Sequence, residues 1–483
     1  MHIAVIQRLI GLLLMLFSTT VLPSIIIDLL YQEDAGGAFT YSFLLLFGSG
    51  LLLYLPVKNR REDLRLRDGF VVVVLFWMVL GLVGAVPFIL YESLEISVTD
   101  AVFESMSGLT TTGATVLSGL DNLPHSILFY RQQLQWLGGM GIIVLAVAVM
   151  PMLGIGGMQL YRAETPGPVK DNKLTPRIAE TAKALWYIYL GLTMACFVGY
   201  WLAGMSVFDA ISHSFSTVSI GGFSTHDASL GYFNNPWVEA VAILFMFLSG
   251  IHFALHFAAV RRFNIKHYLR DSEFKMYALL LLTVSVVSVS YLYLNTIIPE
   301  VGQAMRQGVF HAVSIATTSG FTLSEYSLWP VFVPVLLLFA SFVGGCAGST
   351  GGGMKVIRVL LLFKQGQREM LRLIHPNAQI VVKLGKQPVS DRVINAVWGF
   401  FAAYVAAFVV MMLLLMLTGN DQITAFSAVA ATINNLGPGL GEVSANYASL
   451  GSFDKWVLCF AMVLGRLEVF TLLVLFMPAF WRR

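Results

Sequence analysis

Charged residues and cysteines are scarce in this sequence. Only 12% of the 483 residues are Asp, Glu, Lys or Arg, whereas 57% are hydrophobic. Soluble domains carry about 25% charged residues, so the composition excludes a soluble enzyme or nucleic-acid-binding protein and indicates an integral membrane protein. The three cysteines, Cys196, Cys346 and Cys459, stand in separate apolar stretches. They form no disulfide framework and no metal-ligand pattern, and packing is their expected role.

The chain also lacks a recognisable catalytic set. No Ser/His/Asp constellation and no pair of carboxylates stands out. His252 and His256 have the spacing of a zinc pair, but the Glu that a metalloprotease carries between them is missing. The run Gly353-Met354-Lys355-Val356 breaks the motif of a phosphate-binding loop. The sequence therefore predicts a protein that is not an enzyme.

Long apolar runs dominate the chain instead, and each is long enough to cross a bilayer, which takes roughly 20 residues. Ten spanning helices are predicted, at about 8–30, 40–57, 69–91, 125–153, 179–203, 236–260, 275–297, 331–362, 391–418 and 453–478. The first two form a hairpin, and the other eight form four pairs. In this arrangement 26 of the 30 Lys and Arg residues fall on one side, so that side and both termini are predicted to be cytoplasmic.

A short Ser/Thr/Gly segment stands between the helices of each pair. The four glycine segments read SMSGLTTTGAT, SFSTVSIGGFS, AVSIATTSGFT and ATINNLGPGLG, and they align Gly113, Gly222, Gly320 and Gly437 at spacings of 109, 98 and 117 residues. A short helix is predicted before each segment, with its negative C-terminal end toward the membrane centre, where it favours a cation. Non-helical backbone at membrane depth is tolerated only inside protein or beside water, so the segments predict one pore.

Main-chain oxygens are the expected ligands of an ion in this pore, because carbonyls replace the water of a cation and glycine exposes the backbone. The ligands are predicted at the two residues before each aligned glycine: Thr111, Thr112, Ile220, Gly221, Thr318, Ser319, Asn435 and Leu436. In the fourth segment Gly439 is an alternative to Gly437. For a single segment, close packing of helices through small residues is an equal explanation. His213 and His311, in the short helices, are expected to support the segments from behind.

A second glycine-rich stretch interrupts the predicted span 331–362. Six of the ten residues 344–353 are glycine, and each Gly costs a helix about 1 kcal/mol relative to Ala. The stretch is therefore predicted to unwind and to form a gate below the glycine segments; tight helix packing is the alternative. The gate residues are Gly344, Gly345, Gly348, Gly351, Gly352 and Gly353, followed by Lys355.

Arg466 interrupts the last apolar run. A charge at that depth is costly and faces the protein interior by default, so Arg466 is expected to line the pore below the glycine segments. Three roles stay open: a barrier to cations, a donor to the carbonyls of residues 344–353, or an anion site. The alternative is a salt bridge to Glu468 or to another helix, although residues two apart on a helix do not face each other.

The stretches ASFVGGCAGSTGGGMKVIR, NNLGPGLG and GRLEVF, with the four-fold plan, resemble the Trk/Ktr/HKT superfamily of potassium transporters, and within it the bacterial TrkH/TrkG type, over essentially the whole chain. The resemblance implies an all-α membrane protein with four pseudo-repeats of helix, pore helix, filter loop and helix around one ion pore. The divisions are an N-terminal hairpin at 1–68 and repeats at 69–178, 179–274, 275–390 and 391–483.

The resemblance also implies a function and partners. The function is uptake across the bacterial inner membrane, with K⁺ as the transported ion and no tightly bound cofactor. The partners are a second copy of the chain, in a homodimer in the bilayer, and a cytosolic nucleotide-binding regulatory subunit of the TrkA type. In related plant transporters a serine at the position of Gly113 goes with sodium transport, so potassium is expected here. A sodium-permeable or proton-coupled transporter of the same fold is the alternative.

Overall fold

The computed structural model describes residues 2–60, 66–144, 178–262, 264–385, 387–467 and 469–482, and almost all of its regular structure is helical. Apolar side chains dominate these helices, and a helix satisfies its own backbone hydrogen bonds, which lipid cannot do. By length and composition, six described helices can cross a membrane, or eight if each of two bent pairs counts as one span.

The N-terminal hairpin is formed by Ile3–Thr19 with Leu22–Tyr31, and by Gly36–Tyr54. Its two arms approach closely where Gly11 and Gly50 meet, since a Cβ on Gly11 would lie 2.8 Å from the carbonyl oxygen of Gly50. Small residues let membrane helices pack at such short range. The hairpin contacts the next helix, Leu66–Val83, which continues after a short break as Val86–Leu90.

Each of the four repeats then follows one plan of helix, short helix, glycine segment and helix. The short helices are Val98–Leu109, Val207–Val218, Val301–Ala316 and Gln422–Ile433. The helices before them are Leu66–Val83, Ile178–Leu202, Ser272–Leu294 and Asp391–Leu417, and the helices after them begin with His125–Val144, Pro236–Ser249, Phe332–Val343 and Ser452–Arg466. The first short helix contacts both His125–Val144 and Ser452–Arg466, so the first and fourth repeats meet and the ring of repeats is closed. The predicted all-α fold with four repeats and an extra N-terminal pair is confirmed.

Three predicted spans are interrupted by a long loop or a sharp bend. The span predicted at 331–362 ends at Val343 and resumes as the helix Val356–Ile374. The span predicted at 236–260 bends by 95° between Pro236–Ser249 and Phe253–Arg261, and the last span bends by 109° after Ser452–Arg466 before Phe470–Phe476. The prediction of unbroken helices at these two bends was wrong. Residues 145–153 of the span predicted at 125–153 lie outside the described residues.

Smaller elements complete the chain. The helices Phe253–Arg262 and Lys266–Arg270 connect the second repeat to the third, and a two-stranded antiparallel hairpin follows the helix Val356–Ile374. The strands Lys383–Leu384 and Gln387–Pro388 pair with Lys383 opposite Pro388 and Leu384 opposite Gln387. Short helices Phe470–Leu473 and Pro478–Trp481 end the described chain.

Candidate ion pathway

The four glycine segments share one backbone conformation. In each, the aligned glycine and the residue two before it have positive φ, and the residue between them does not. Three of these left-handed residues are β-branched, a rare and strained choice that concentrates at functional sites. The angles are 54° and 80° at Thr111 and Gly113, 56° and 79° at Ile220 and Gly222, 71° and 82° at Thr318 and Gly320, and 53° and 101° at Asn435 and Gly437.

The aligned glycines form a closed ring, here called the glycine ring. A methyl group added to Gly113 would overlap the carbonyl oxygen of Gly221, the residue before the next glycine. The same relation links Gly222 to Ser319, Gly320 to Leu436, and Gly437 to Thr112. Each glycine therefore faces the carbonyl of the following repeat, and only glycine leaves room for it. Gly437, not Gly439, occupies the fourth position, since Gly439 faces Val443 and Ser427 of its own repeat.

A cavity of ≈ 400 Å³ opens on one side of the glycine ring and is lined by residues of all four segments. It contacts all four glycines of the ring, together with the carboxylate residues Asp227 and Glu325. The same lining carries Arg131 and His226. Acidic and basic side chains therefore both border the cavity.

The short helices end at the ring. Their last residues, Leu109, Val218, Ala316 and Ile433, precede the aligned glycines by four residues, so four negative helix ends converge there. Asp421 caps the fourth short helix by accepting from the amides of Ile423 and Thr424 at 2.9 and 3.1 Å.

Serine caps the first two short helices, a feature that the sequence reasoning missed. Ser97 accepts from the amide of Asp100 at 3.1 Å and donates to the Asp100 carboxylate at 2.8 Å. Ser206 and Asp209 repeat the arrangement at 3.0 and 2.7 Å. A serine followed three residues later by an acid is a reciprocal capping pattern that was readable in the sequence.

Polar residues of the helix His125–Val144 support the second segment from behind. Gln135 donates from Nε2 to the carbonyl of Gly221 at 2.6 Å and accepts from the amide of Phe223 at 3.1 Å. One predicted ligand oxygen, that of Gly221, therefore already accepts a side-chain hydrogen bond. Arg131, four residues earlier and so on the same helix face, donates to the carbonyl of Ser224 at 3.1 Å. Neither residue was predicted from the sequence, although polar groups inside a spanning helix are a signal of function.

The two histidines of the short helices lie behind the segments, as expected. The Nε2 atom of His213 is 2.9 Å from the Ser224 hydroxyl, and Nε2 of His311 accepts from the amide of Leu323 at 3.3 Å. Each therefore joins a short helix to the residues after its aligned glycine. His256 instead bonds Tyr268 and the carbonyl of Leu248, and no group of three metal-ligating side chains occurs among the described residues. The three cysteines are buried and unpaired by disulfides.

The glycine-rich loop, residues 344–355, lies against the opposite side of the ring from the cavity. The amide of Gly352 donates to the Thr318 hydroxyl at 2.7 Å, and the amide of Gly353 donates to the carbonyl of Asn434 at 3.0 Å. A Cβ on Gly352 would overlap that same Asn434 carbonyl. The loop backbone thus packs directly on the third and fourth segments.

Other groups fix the loop from its far side. Glu273 accepts through Oε1 from the amide of Ala347 at 2.7 Å and from the amide of Ile357 at 3.2 Å, so one carboxylate joins both ends of the loop. Lys355 is buried, has a positive φ of 76°, and donates from Nζ to the carbonyl of Gly351. The loop is thus held in an irregular conformation by side chains around it.

Arg466 bridges the loop and the first repeat. Its guanidinium donates to the carbonyl of Thr350 at 3.0 Å and to the carbonyl of Gly138 at 2.9 Å, and it lies 5.4 Å from the centroid of the Trp77 ring. Of the three roles left open by the sequence, this geometry matches a donor to the loop carbonyls. Glu468, the alternative partner, lies outside the described residues.

The fold and the glycine ring together define a membrane protein of several spans that passes a cation. Residues 36–483 match the model of the family described as "TrkH: Cation transport protein", and the chain belongs to that family. The family transports ions, so the expectations of a TrkH/TrkG-type protein and of a protein that is not an enzyme are confirmed.

Similar proteins cover the whole chain. The Trk system potassium uptake protein TrkH of Salmonella typhimurium is 56% identical over 482 residues, which is 100% of both chains. The Trk system potassium uptake protein TrkG of Escherichia coli is 43% identical over 481 residues, 100% of this chain and 99% of that one. The crystal structure of the potassium transporter TrkH from Vibrio parahaemolyticus superposes with a TM-score of 0.92 at 53% identity and covers 100% of both chains.

Proposed function

We propose that this chain takes up potassium across the bacterial inner membrane through a filter of main-chain carbonyls. The observation that carries the proposal is the glycine ring, in which each glycine faces the carbonyl of the following repeat. The names of the similar proteins, which are potassium uptake proteins at 43–56% identity over the full chain, support the choice of ion.

The proposed filter works by replacing water. A potassium ion loses its hydration shell on entering the ring, and carbonyl oxygens of the residues Thr112, Gly221, Ser319 and Leu436 replace it, with the preceding carbonyls of each segment forming the next layer. The four negative helix ends lower the energy of the positive ion at that place. Glycine at each of the four aligned positions allows the carbonyls to approach the axis of the ring.

The glycine-rich loop is the proposed gate. Its contacts with Thr318 and Asn434 support a closed position directly against the filter. Opening requires the loop to leave these partners, and Arg466, which binds the loop at Thr350, is the proposed holder of the closed state.

A cytosolic regulatory subunit of the TrkA type is the proposed source of the opening force. The helix Val356–Ile374 follows the loop directly, and residues 356–392 carry seven Lys and Arg residues, which supports this region as the contact. Co-purification of the chain with such a subunit tests the contact, and it is expected to be lost when Lys364, Lys383 and Arg392 are replaced by Glu.

The chain is also proposed to form a homodimer. A measured protein mass of one chain in detergent would rule out the homodimer.

The proposed boundaries and orientation follow the charge pattern. An N-terminal hairpin at 1–68 precedes repeats at 69–178, 179–274, 275–390 and 391–483, with both termini in the cytoplasm. Because the three native cysteines are buried, single engineered cysteines report the topology cleanly. A cysteine at Thr296 is expected to react with an impermeant reagent from outside, and one at Lys364 is not; the reverse pattern overturns the orientation.

Rubidium and sodium flux into liposomes that contain the purified protein tests the function. Rubidium flux with exclusion of sodium is expected, and Gly113→Ser is expected to relax that preference, since the added side chain overlaps the carbonyl of Gly221 at a position with φ of +80°. Equal sodium and rubidium flux in both proteins favours the sodium-permeable alternative. Flux that requires a proton gradient favours the proton-coupled one. If the protein is inactive, the same assay on a variant without residues 344–353 separates a closed gate from a protein that does not conduct.

A further inference from the structure

A fully buried ion pair lies behind the outer end of the proposed filter. Arg131 donates from Nε to Glu104 at 2.7 Å, and the two side chains are 1% and 0% exposed. Glu104 belongs to the first short helix and Arg131 to the helix that follows the first glycine segment. Neither residue belongs to the predicted ligands, to the glycine-rich loop or to the caps of the short helices.

Arg131 connects the first and second glycine segments. Beyond Glu104, it donates to the hydroxyl of Thr115, two residues after Gly113, and to the carbonyl of Ser224, two residues after Gly222, both at 3.1 Å. Its guanidinium carbon also lies 4.2 Å from the centroid of the Phe223 ring. The planar guanidinium of Arg131 therefore contacts equivalent positions of two neighbouring glycine segments.

Glu104 completes the connection on the side of the first segment. Its carboxylate accepts from the Thr115 hydroxyl at 3.0 Å and from the amide of Val116 at 3.0 Å. The pair thus fixes the backbone just after Gly113 while Arg131 reaches the backbone just after Gly222.

The pair has no chemical equivalent in the other repeats. The position nine residues before the aligned glycine holds Glu104, His213, His311 and Ala428 in the four repeats. His213 and His311 each bond the residues after the glycine of their own repeat, and in the fourth repeat the neighbouring Ser427 accepts from the amide of Leu440 at 2.8 Å. The first repeat alone uses a carboxylate at this position, and its partner Arg131 extends the contact into the next repeat.

Stability is a poor explanation for such a pair. Removing two charges from water costs several kcal/mol, and apolar residues of similar volume often stabilise a protein equally well or better. The planar guanidinium of arginine, however, fixes both the direction and the length of the hydrogen bonds to its partners. An uncompensated positive charge would also repel cations near the mouth, and Glu104 neutralises it.

We propose that Arg131 and Glu104 are a positioning pair that sets the spacing of the first and second glycine segments at their outer ends, and thereby the preference for potassium over sodium. Both the size of a carbonyl site and the field of its ligands depend on that spacing. This inference rests on the proposed function, because it assigns the pair to the same filter.

Arg131→Lys tests the pair, since lysine keeps the charge but cannot bond three partners with a planar fork. The rubidium-to-sodium flux ratio in liposomes is expected to fall by roughly tenfold, the effect of losing one charge-assisted hydrogen bond. The melting temperature in detergent supplies a readout that needs no open gate, because an ion bound only by the native state raises it. The melting temperature of the wild type is expected to be higher in potassium chloride than in sodium chloride. This potassium-specific rise is expected to be smaller in Arg131→Lys.

Arg306→Lys is the matched control. Arg306 forms an ion pair with Glu239 and bonds Asn234, outside the glycine segments, so its variant is expected to keep both the flux ratio and the potassium-specific rise. If Arg131→Lys does not fold, Glu104→Gln, which has the same shape without the charge, gives the same comparison. A wild-type protein without a potassium-specific rise contradicts the proposed function itself. A wild-type rise that Arg131→Lys and Glu104→Gln retain, together with an unchanged flux ratio, overturns the positioning pair alone.

Discussion

Four basic residues lie away from the side that the sequence predicts for the other 26 Lys and Arg residues, and each has a partner in the fold. Arg131 pairs with Glu104, Arg306 with Glu239 and Lys455 with Asp100, and Arg466 donates to two carbonyls. A charge in an apolar region is stable only when it is paired or hydrogen-bonded. These residues therefore mark places where repeats or the loop are joined.

Thr318 joins the glycine-rich loop to the third glycine segment through its hydroxyl. Thr318→Val keeps the shape but leaves the amide of Gly352 without this acceptor, and an unsatisfied buried amide costs roughly 1–3 kcal/mol. The closed state is destabilised, so rubidium flux without any regulatory subunit is expected to rise by about tenfold or more. Thr318→Ser, which retains the hydroxyl, is expected to behave like the wild type. Equal flux in all three proteins would contradict a role of this hydrogen bond in closure.

His226, which follows the second glycine segment, predicts a pH dependence of stability. Partial burial lowers the pKa of its imidazole, but the carboxylates of Asp209 and Asp121 outweigh this effect, and the pKa lies above its usual 6.5. The Nδ1 atom lies 2.5 Å from Asp121, and Tyr232 stacks on the ring at 3.5 Å. Because the folded pKa is raised, the stabilisation is complete below pH 6.5 and is lost as the pH rises through the folded value.

Melting curves at pH 6 and pH 8 measure this effect. Between pH 6 and pH 8 the melting temperature of the wild type is expected to fall by roughly 1–2 °C more than that of His226→Gln, which is the effect of a partly exposed ion pair. The comparison with the variant removes the contribution of other titrating groups. An identical pH dependence in the two proteins would show that the contact with Asp121 and Asp209 does not stabilise the fold.

The sequence predicted some of these residues and missed others for a physical reason. The aligned glycines were readable because a positive φ and a close carbonyl leave no choice of residue at four places. Gln135 was missed because its partners Gly221 and Phe223 are 86 and 88 residues away, and spacing carries no information on such contacts. The contact of Arg131 with Ser224, 93 residues away, was missed for the same reason. The ambiguity between Gly437 and Gly439 was resolved only by the carbonyl of Thr112, which faces Gly437 across the ring.

The glycine-rich loop depends on a carboxylate of a neighbouring helix. Glu273→Ala removes the acceptor of the amides of Ala347 and Ile357, so the loop is expected to loosen and rubidium flux without a regulatory subunit to rise several-fold. Glu273→Gln retains an acceptor oxygen and is expected to stay close to the wild type. Flux is the measurement, with the melting temperature as a check on folding; no change in Glu273→Ala would exclude the carboxylate as an anchor.

The helix breaks were predicted unevenly. Six glycines made the break at 344–355 readable, because glycine weakens a helix. The 95° and 109° bends interrupt stretches that are apolar enough on average to pass as single spans, so hydropathy did not reveal them. These bends depend on tertiary contacts instead: the carbonyl of Gly250 accepts from Cys346 of the loop, and a Cβ on Gly465 would overlap the carbonyl of Ile433.

Four unequal repeats make one ring. A single chain can differ at each corner, as it does at the position held by Glu104, His213, His311 and Ala428, whereas identical subunits cannot. The N-terminal hairpin lies outside the ring, against the helix Leu66–Val83. The common backbone of the four segments is thus supported by four different sets of side chains.

Rubidium anomalous diffraction from crystals of the protein shows whether the glycine ring binds the transported ion. A rubidium peak is expected on the axis of the ring, within coordination distance of the carbonyls of Thr112, Gly221, Ser319 and Leu436, and it is expected to disappear when sodium replaces rubidium. A well-ordered ring with no rubidium peak on its axis, or a peak only at other residues, would show that the ring is not the ion site.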